Sequence, residues 1–410
     1  MSIISAINRK KMKMYKVTAL CALGAEKVLS NELKRLGVAL KGSAFGRVHF
    51  ECNLEQIYGA LIGLRTADRI MLDVAVFPAA NFDELFEGAR GAPWEDYIPR
   101  GMGLIVDKAR VAKNSAMKGV SAIQAQVNKA VAERLMSKFH IRRLPEDDVP
   151  QAVVRVHVDG TTVRIYLDIT GEPLFKRGYR REGGIAPLRE TTAASLLLLA
   201  GWKRKFPLYD PFCGSGTIAI EAALFAWDQA PGLGRKFAFG QFLPADSSLE
   251  KKVRQEALNK IDYTRRIRIA GSDADAGAVR IAKANLQRAV ALARGTVVST
   301  GSTTVVPEEA LPVFTQVEMK YATPLGEQIA PPLGFIITNP PYGRRLGDEA
   351  DAQKNYSEMR HLKKNFPGWK LCCITEDEGF ETYFGEKASS CKEITNGPER
   401  AYFYQYERVQ

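Results

Sequence analysis

From Leu188 onward the chain alternates apolar, strand-like runs with stretches of helical spacing, and this alternation limits its fold more than any other feature. The spacing predicts a helix over Leu188–Ala200, a strand ending at Asp210 and a helix over Thr217–Trp227. A Gly/Pro-rich loop (Pro231–Pro244) and a charged helix near Leu249–Ile261 follow, then strand Ile267–Asp273 and helix Ala276–Ala293. Further strands are expected near Val313–Met319, Gly334–Thr338 and Trp369–Thr375, with two more at the C-terminal end. Strands separated by helices pair side by side in a mostly parallel sheet covered on both faces. Ligands of such sheets sit at the carboxyl ends of the strands, so the residues at those ends carry the functional reading.

The first half reads differently. Short strands and helices alternate over Tyr15–Leu20, Ala25–Leu36, Arg47–Phe50, Leu54–Leu64 and Arg69–Phe77. A second unit follows, with a helix near Phe82–Ala89, a strand at Gly103–Ala109 and a long helix from about Ser121 to Phe139. Two alternating strands, Ala152–Val158 and Thr162–Thr170, meet across Asp159-Gly160, a two-residue hairpin signal. The acidic stretch Pro145–Pro150 reads as a surface loop.

Charge separates the halves. Residues 1–185 hold 29 Lys/Arg against 20 Asp/Glu, and residues 186–410 hold 29 against 26, so most of the net +12 lies in the first half. Between Arg100 and Arg143 ten basic residues face only Asp107 and Glu133. A basic block confined to one half reads as a polyanion-binding surface. Lys108, Arg110, Lys113 and Lys118 are its candidate nucleic-acid contacts. Arg177, Tyr179 and Arg180, in the basic run Lys176–Arg181, are candidates as well. No apolar run approaches the ~20 residues of a membrane-spanning helix, and no secretory signal pattern is present. The six cysteines form no C-x-x-C pair and the four histidines no cluster, so neither a metal site nor a disulfide framework is expected. A cytoplasmic protein without membrane contact is the reading.

Two loops carry the chemistry. In Asp210-Pro-Phe-Cys-Gly-Ser-Gly-Thr217, Gly214 and Gly216 allow tight positive-φ turns and close backbone approach to a ligand. Thr217 is placed to cap the following helix, whose amino end faces the ligand. Asp210, at the strand tip, can accept a hydrogen bond from a ligand ammonium group. Gly214-x-Gly216-x-x-Ala219 also fits a dinucleotide fingerprint, which makes a nicotinamide oxidoreductase the first rival. That fingerprint needs an acid about 20 residues on, whereas the next strand ends far later, at Asp273, where an acid would bind ribose hydroxyls of an adenosine cofactor. The second loop is Asn339-Pro-Pro-Tyr342. Its prolines end the strand in a stiff turn. The Asn339 side-chain oxygen and the Pro340 carbonyl are two acceptors able to converge on an exocyclic amino group, and Tyr342 offers a ring for a base to stack on.

The pair Asp-Pro-Phe-Cys-Gly-Ser-Gly-Thr and Asn-Pro-Pro-Tyr, in this order, resembles the amino-methyltransferases that use S-adenosylmethionine to methylate exocyclic nitrogens of nucleobases. The first half resembles a ferredoxin-like module followed by a THUMP RNA-binding domain. Across residues 15–405 the chain is most similar to the bacterial large-subunit ribosomal RNA guanine-N2 methyltransferases. Phe175-Lys-Arg-Gly-Tyr-Arg180, Ala186-Pro-Leu-Arg-Glu190 and Asn339-Pro-Pro-Tyr-Gly-Arg-Arg-Leu-Gly347 carry that likeness.

The resemblance implies a Rossmann-like class I methyltransferase domain with a mostly parallel seven-stranded sheet, preceded by an α+β ferredoxin-like and THUMP region. The expected division is a leader at 1–14, the ferredoxin-like module at 15–70, THUMP at 71–170, a linker at 171–187 and the methyltransferase domain at 188–410. It implies S-adenosylmethionine held by Asp210, Pro211, Phe212, Gly214, Gly216, Thr217, Asp273, Glu318 and Asn339, with Asn339, Pro340 and Tyr342 on the substrate base. The RNA partner would be rRNA, with tRNA as the alternative. A DNA adenine-N6 methyltransferase and a non-catalytic RNA-binding protein are weaker readings. Two positions depart from the family: Glu318 stands where Asp is usual, and Arg344 stands where Glu is frequent.

Overall fold

The computed structural model describes residues 13–146, 148–180, 188–297, 306–324, 333–341 and 349–407, with side chains omitted at 293–297 and 349–351. The chain forms two seven-stranded sheets. The first is built from β1 (Tyr15–Cys21), α1 (Glu26–Arg35), β2 (Ala39–Ala44), β3 (Arg47–Cys52), α2 (Leu54–Gly63) and β4 (Ala67–Pro78), then α3 (Phe82–Gly91), β5 (Gly103–Val111), α4 (Val120–Phe139), β6 (Gln151–Asp159) and β7 (Thr162–Asp168). Its strand order is β2-β3-β1-β4-β7-β6-β5. The boundary expected between residues 70 and 71 falls inside β4. The first half of that strand pairs with β1 and the second half with β7, so one continuous sheet serves both modules.

Alternation sets the two faces of this sheet. Val48 and Phe50 on β3, Val154 and Val156 on β6, and Val163 and Ile165 on β7 are buried in the core. Their neighbours Arg47, His49, Arg155, His157 and Arg164 point to the opposite face. The helix starts are fixed locally. Asn53 and Gln56 form a reciprocal capping box at α2, worth about 1 kcal/mol. The β6–β7 hairpin turns at Gly160, with φ +59°, as the Asp-Gly signal requires.

The second sheet comprises α5 (Glu190–Leu199), β8 (Leu208–Asp210), α6 (Thr217–Ala226), α7 (Ser247–Asn259), β9 (Ile269–Asp273), α8 (Ala276–Val297), β10 (Val313–Gln316), β11 (Phe335–Thr338), α9 (Glu349–Glu358), α10 (Arg360–Asn365), β12 (Lys370–Thr375), α11 (Phe380–Phe384), β13 (Ser390–Asn396) and β14 (Glu399–Tyr406). The order β10-β9-β8-β11-β12-β14-β13 is parallel except at β14, which runs antiparallel to both neighbours. This is the Rossmann-like methyltransferase arrangement expected. The strand order reverses between β8 and β11, which makes their carboxyl ends the crevice where a ligand is received.

The halves are packed on one another through apolar and hydrogen-bonded contacts. Tyr58 of α2 meets Phe239 edge-on at 5.3 Å, and its hydroxyl accepts from the Asp246 N–H at 2.8 Å. The Gly232 N–H donates to the Ile62 carbonyl at 2.8 Å. An added Cβ at Gly232 would lie 2.7 Å from Ile62 Cα and the Leu61 oxygen, so only glycine permits this approach.

The linker Leu174–Arg180 runs through this junction. Arg177 and Tyr179 were expected to contact RNA; both are buried in the core between the halves. The Arg177 guanidinium faces Glu221 of α6 at 3.4 Å and donates to the Arg65 and Leu174 carbonyls, while the Tyr179 hydroxyl donates to Glu221 at 3.1 Å. Arg180, also expected on the RNA, is instead engaged within the protein. It pairs with Glu190 at 2.5 Å and donates to the Leu188 carbonyl, which leaves its cation neutralised and largely covered. Buried carboxylates draw these cations inward, because an unpaired buried Glu costs more than ordering an arginine against it.

Candidate active site

Three parallel strands end side by side in acids or amides: β8 at Asp210, β9 at Asp273, and β11 at Thr338 with Asn339 immediately beyond it. Asp210 is buried, and its Oδ1 accepts from the Thr338 hydroxyl at 2.6 Å and from the Phe212 N–H at 3.2 Å. Burial pushes its carboxyl up to about 7, and the neighbouring Asp273 adds to the rise. Asp273 supports the glycine turn: its Oδ2 accepts from the Gly214 N–H at 2.9 Å and its Oδ1 from the Asp275 N–H at 3.0 Å.

The turn after β8 has the expected form. Gly214 and Gly216 take φ +51° and +81°. A Cβ at Gly214 would meet nothing within 4 Å, whereas one at Gly216 would press on Ala282 and Phe314 at 3.0 Å. Gly214 therefore leaves a cradle open, and Gly216 lets the start of α6 lie close against Ala282 of α8 and Phe314 of β10. The cap of α6 is Gly216 itself; Thr217 is the first helical residue and caps nothing, since its hydroxyl lies 3.3 Å from Ser215 Oγ. The first N–H groups of α6 thus remain available for a ligand. Cys213 is a packing residue. Its thiol is buried and pushed upward by burial and by Asp210 and Asp273.

At Asn339 the side-chain oxygen is buried and has no hydrogen-bond partner among the described residues. An orphaned acceptor at a strand tip costs about 1–3 kcal/mol unless a ligand completes it. The open space over Gly214, the acids on β8 and β9 and this waiting acceptor together suit an adenosine-containing cofactor and an amino-bearing substrate.

Pro211, Phe212 and Pro340 lie in the same loops. Glu318 follows the end of β10, exposed, with its carboxylate 2.9 Å from Lys320 Nζ. Tyr342, Arg344, Arg181 and Ala186 lie outside the described residues. No group of three or more His, Cys, Asp or Glu suited to a metal ion occurs among the described residues, and no helix there is long and apolar enough to cross a membrane.

Two supporting residues escaped the sequence reading. Thr338 ties the β11 tip to Asp210. Asn285, fully buried on α8, donates from Nδ2 to the Ser215 carbonyl at 2.9 Å and accepts from Arg288 at 2.5 Å. The signal for Asn285 was present: it interrupts the apolar stripe of Ala282, Leu286 and Ala289, and a polar residue there needs a buried partner.

Strand order, glycine turn and orphaned amide define a Rossmann-like methyltransferase. The chain belongs to the RMKL-like methyltransferase domain family, which matches residues 177–310 and 308–403. The RlmL ferredoxin-like domain matches residues 16–71 and the THUMP domain residues 79–168. Among curated relatives, the Bacillus subtilis protein named "Putative RNA methyltransferase YpsC" is 35% identical over 96% of each chain. "Ribosomal RNA large subunit methyltransferase K/L" of Marinomonas sp. is 29% identical over 99% of this chain and 54% of that one, so the chain spans about half the length of this relative. The solved structure of SMU.472, "a putative methyltransferase complexed with SAH", superposes with a TM-score of 0.83 at 34% identity, covering 97% of this chain and 99% of that chain. "A possible methylase from Clostridium difficile 630" superposes with a TM-score of 0.85, also at 34% identity and the same coverage.

Proposed function

We propose that this protein transfers a methyl group from S-adenosylmethionine to the exocyclic N2 amino group of a guanine in RNA, with large-subunit rRNA as the substrate. The observation that carries this reading is the unpartnered Asn339 oxygen at the tip of β11, beside the Asp210–Asp273 cradle. The THUMP match, the basic first half and the printed names of the relatives support RNA as the substrate. The likeness of Phe175–Arg180 and Asn339–Gly347 to the guanine-N2 enzymes supports the choice of atom.

Bound S-adenosylmethionine would supply a sulfonium methyl group whose leaving group is the neutral thioether S-adenosylhomocysteine, the methylated nitrogen then giving up its surplus proton to water. The protein's part is orientation. The N2 lone pair of guanine is delocalised into the ring, so the amino group is a weak nucleophile. Asn339 Oδ1 and the Pro340 carbonyl accept its two hydrogens and turn the lone pair toward the methyl group. The same acceptors, fixed by the strand end and the prolines, stabilise the positive charge that develops on nitrogen. Holding the reactants in a near-attack arrangement accounts for much of the acceleration. Asp210 and Asp273 hold the cofactor's polar groups, and Gly214 lets it approach the backbone.

A base within a helix cannot reach these acceptors, so the target guanine is unpaired or flipped. Mass mapping of rRNA and tRNA from cells with and without this protein tests the reading. One guanine should lose a single methyl group in the deletion strain, in 23S rRNA. Unchanged rRNA with a lost methyl on tRNA would move the substrate, and a lost methyl on adenine would overturn the atom assignment.

A further inference from the structure

We infer that Asn285 and Arg288 of α8 are positioning residues for the cofactor. They tie the glycine turn after β8 to the linker Leu174–Arg180, so the shape of the turn depends on how the two halves are joined. This rests on the placement of S-adenosylmethionine at the glycine turn proposed above, and adds two residues that act on its binding through the turn.

The connection is continuous. Arg288 Nε donates to the Tyr179 carbonyl at 2.7 Å, Arg288 Nη2 donates to Asn285 Oδ1 at 2.5 Å, and Asn285 Nδ2 donates to the Ser215 carbonyl at 2.9 Å. Asn285 is fully buried, so its amide has no water to turn to if either partner moves. Its oxygen receives the arginine and its nitrogen serves the turn. An amide held this way has one orientation, because the flipped form would face a donor with a donor and a carbonyl with an oxygen.

The turn needs such a tether. Gly214 and Gly216 both have positive φ, and glycine lets the peptides on either side of Ser215 rotate at low cost. The Ser215–Gly216 peptide is pinned at both ends: the Gly216 N–H donates to the Cys213 carbonyl at 2.7 Å, and the Ser215 carbonyl receives Asn285. A planar trans peptide carries those two groups in opposite directions, so holding the carbonyl toward α8 also steadies the N–H. Without the Asn285 amide the peptide is held at one end only. The backbone shape a ligand must find is then populated part of the time, and apparent affinity falls by that fraction.

The same linker residue grips the helix that the turn begins. Tyr179, fully buried, gives its carbonyl to Arg288 and its hydroxyl to Glu221 on the second turn of α6 at 3.1 Å, beside Arg177. Further along, Arg65, between α2 and β4, donates to the Leu224 and Gln229 carbonyls at 3.2 and 2.8 Å, at the carboxyl end of α6. Entry, body and exit of this helix are thus set by contacts that lead to the linker or to the first half. The cofactor turn and the join between the halves form one unit, and coupling between two such places is reciprocal.

The test uses the full chain, S-adenosylhomocysteine titrated by calorimetry, and hydrogen exchange at the linker amides. Asn285→Asp keeps the shape of the side chain and still receives Arg288, but presents an oxygen to the Ser215 carbonyl. Affinity should fall about tenfold, the equivalent of one net hydrogen bond. Arg288→Met, at a half-buried position, keeps the stem and cuts both of its bonds, and the loss should be roughly fivefold. In each variant the KM for S-adenosylmethionine should rise while kcat stays within about twofold, since the acceptors beyond β11 are untouched and only binding is lost. In wild type, S-adenosylhomocysteine should slow exchange at Leu174–Arg180 about fivefold, and Asn285→Asp should abolish that slowing. A lowered thermal midpoint with wild-type affinity and unchanged exchange would reduce the two residues to packing and overturn the inference. Wild-type affinity in both variants while Asp210→Asn binds weakly would overturn it alone. Wild-type affinity in all three would also remove the cofactor from the glycine turn.

Discussion

The Thr338 hydroxyl donates to Asp210 Oδ1 at 2.6 Å, joining the tips of two neighbouring parallel strands directly below the Asn339 amide. The hydrogen bond favours the charged form and so holds down a carboxyl that burial still leaves raised to about 7. The residue proposed for the substrate end of the site and the residue proposed for the cofactor end are therefore tied by one contact.

Affinity for S-adenosylmethionine should depend on pH through Asp210. In the proposed role of Asp210 the cationic cofactor needs the carboxylate, so affinity should level off above about pH 8 and fall about tenfold per unit below 7. For the ligand-free fold the sign is opposite. The carboxyl is raised above its ordinary 3.8, so its contribution to stability is full below that value and lost as pH rises through about 7. The thermal shift given by the cofactor should therefore grow between pH 6 and 8. Calorimetric titration of wild type and Asp210→Asn checks this, the variant binding weakly and with a flat profile.

Thr338→Val removes the hydroxyl that steadies the Asp210 carboxylate. The midpoint of the affinity profile should move up by roughly one pH unit, since a hydrogen bond to a charged group is worth about 1.5–3 kcal/mol. A midpoint that stays in place would show that another group governs the profile.

Arg177→Met should act on stability and not on RNA affinity. It strands Glu221 in the core, at a cost of about 3–5 kcal/mol. The thermal midpoint should drop sharply while the salt slope of RNA binding stays at the wild-type value. A flattened slope with normal stability would return Arg177 to the RNA surface.

Lys113 and Lys118 are exposed, and Lys113 lines a cationic cleft on the first sheet. Replacing both with Ala should weaken RNA binding and flatten its salt slope by roughly one to one and a half units. The rate of methyl transfer at saturating RNA should change little. An unchanged slope would place the phosphate contacts elsewhere.

What the sequence disclosed was what local chemistry controls. Asp210, Asp273 and Asn339 each end an apolar run, and the glycines and prolines beside them announce turns, so the strand tips could be read directly. Strand β2 was missed because Gly42 and Ser43 interrupt its pattern, and its pairing comes from β3. The helices α9, α10 and α11 were missed between the strands they follow. The linker was misread for a physical reason: Lys176–Arg180 looks like a basic surface until Glu221, 44 residues beyond Arg177, draws Arg177 and Tyr179 into the core. The cationic cleft was equally hidden. Arg47, Arg110 and Arg164 are scattered in sequence but line one cleft on the first sheet.

The central claim is that Asn339 presents a guanine amino group to the methyl donor. It is tested most directly by incubating wild type and Asn339→Ala with S-adenosylmethionine carrying a deuterated methyl group and 23S rRNA from cells lacking the protein, then digesting the RNA to nucleosides for mass analysis. Wild type should yield labelled N2-methylguanosine. Asn339→Ala should yield none while its cofactor affinity falls only a few-fold, because the glycine turn and the strand-tip acids remain. Labelled N6-methyladenosine in place of N2-methylguanosine, or near-wild-type labelling by Asn339→Ala, would contradict the account.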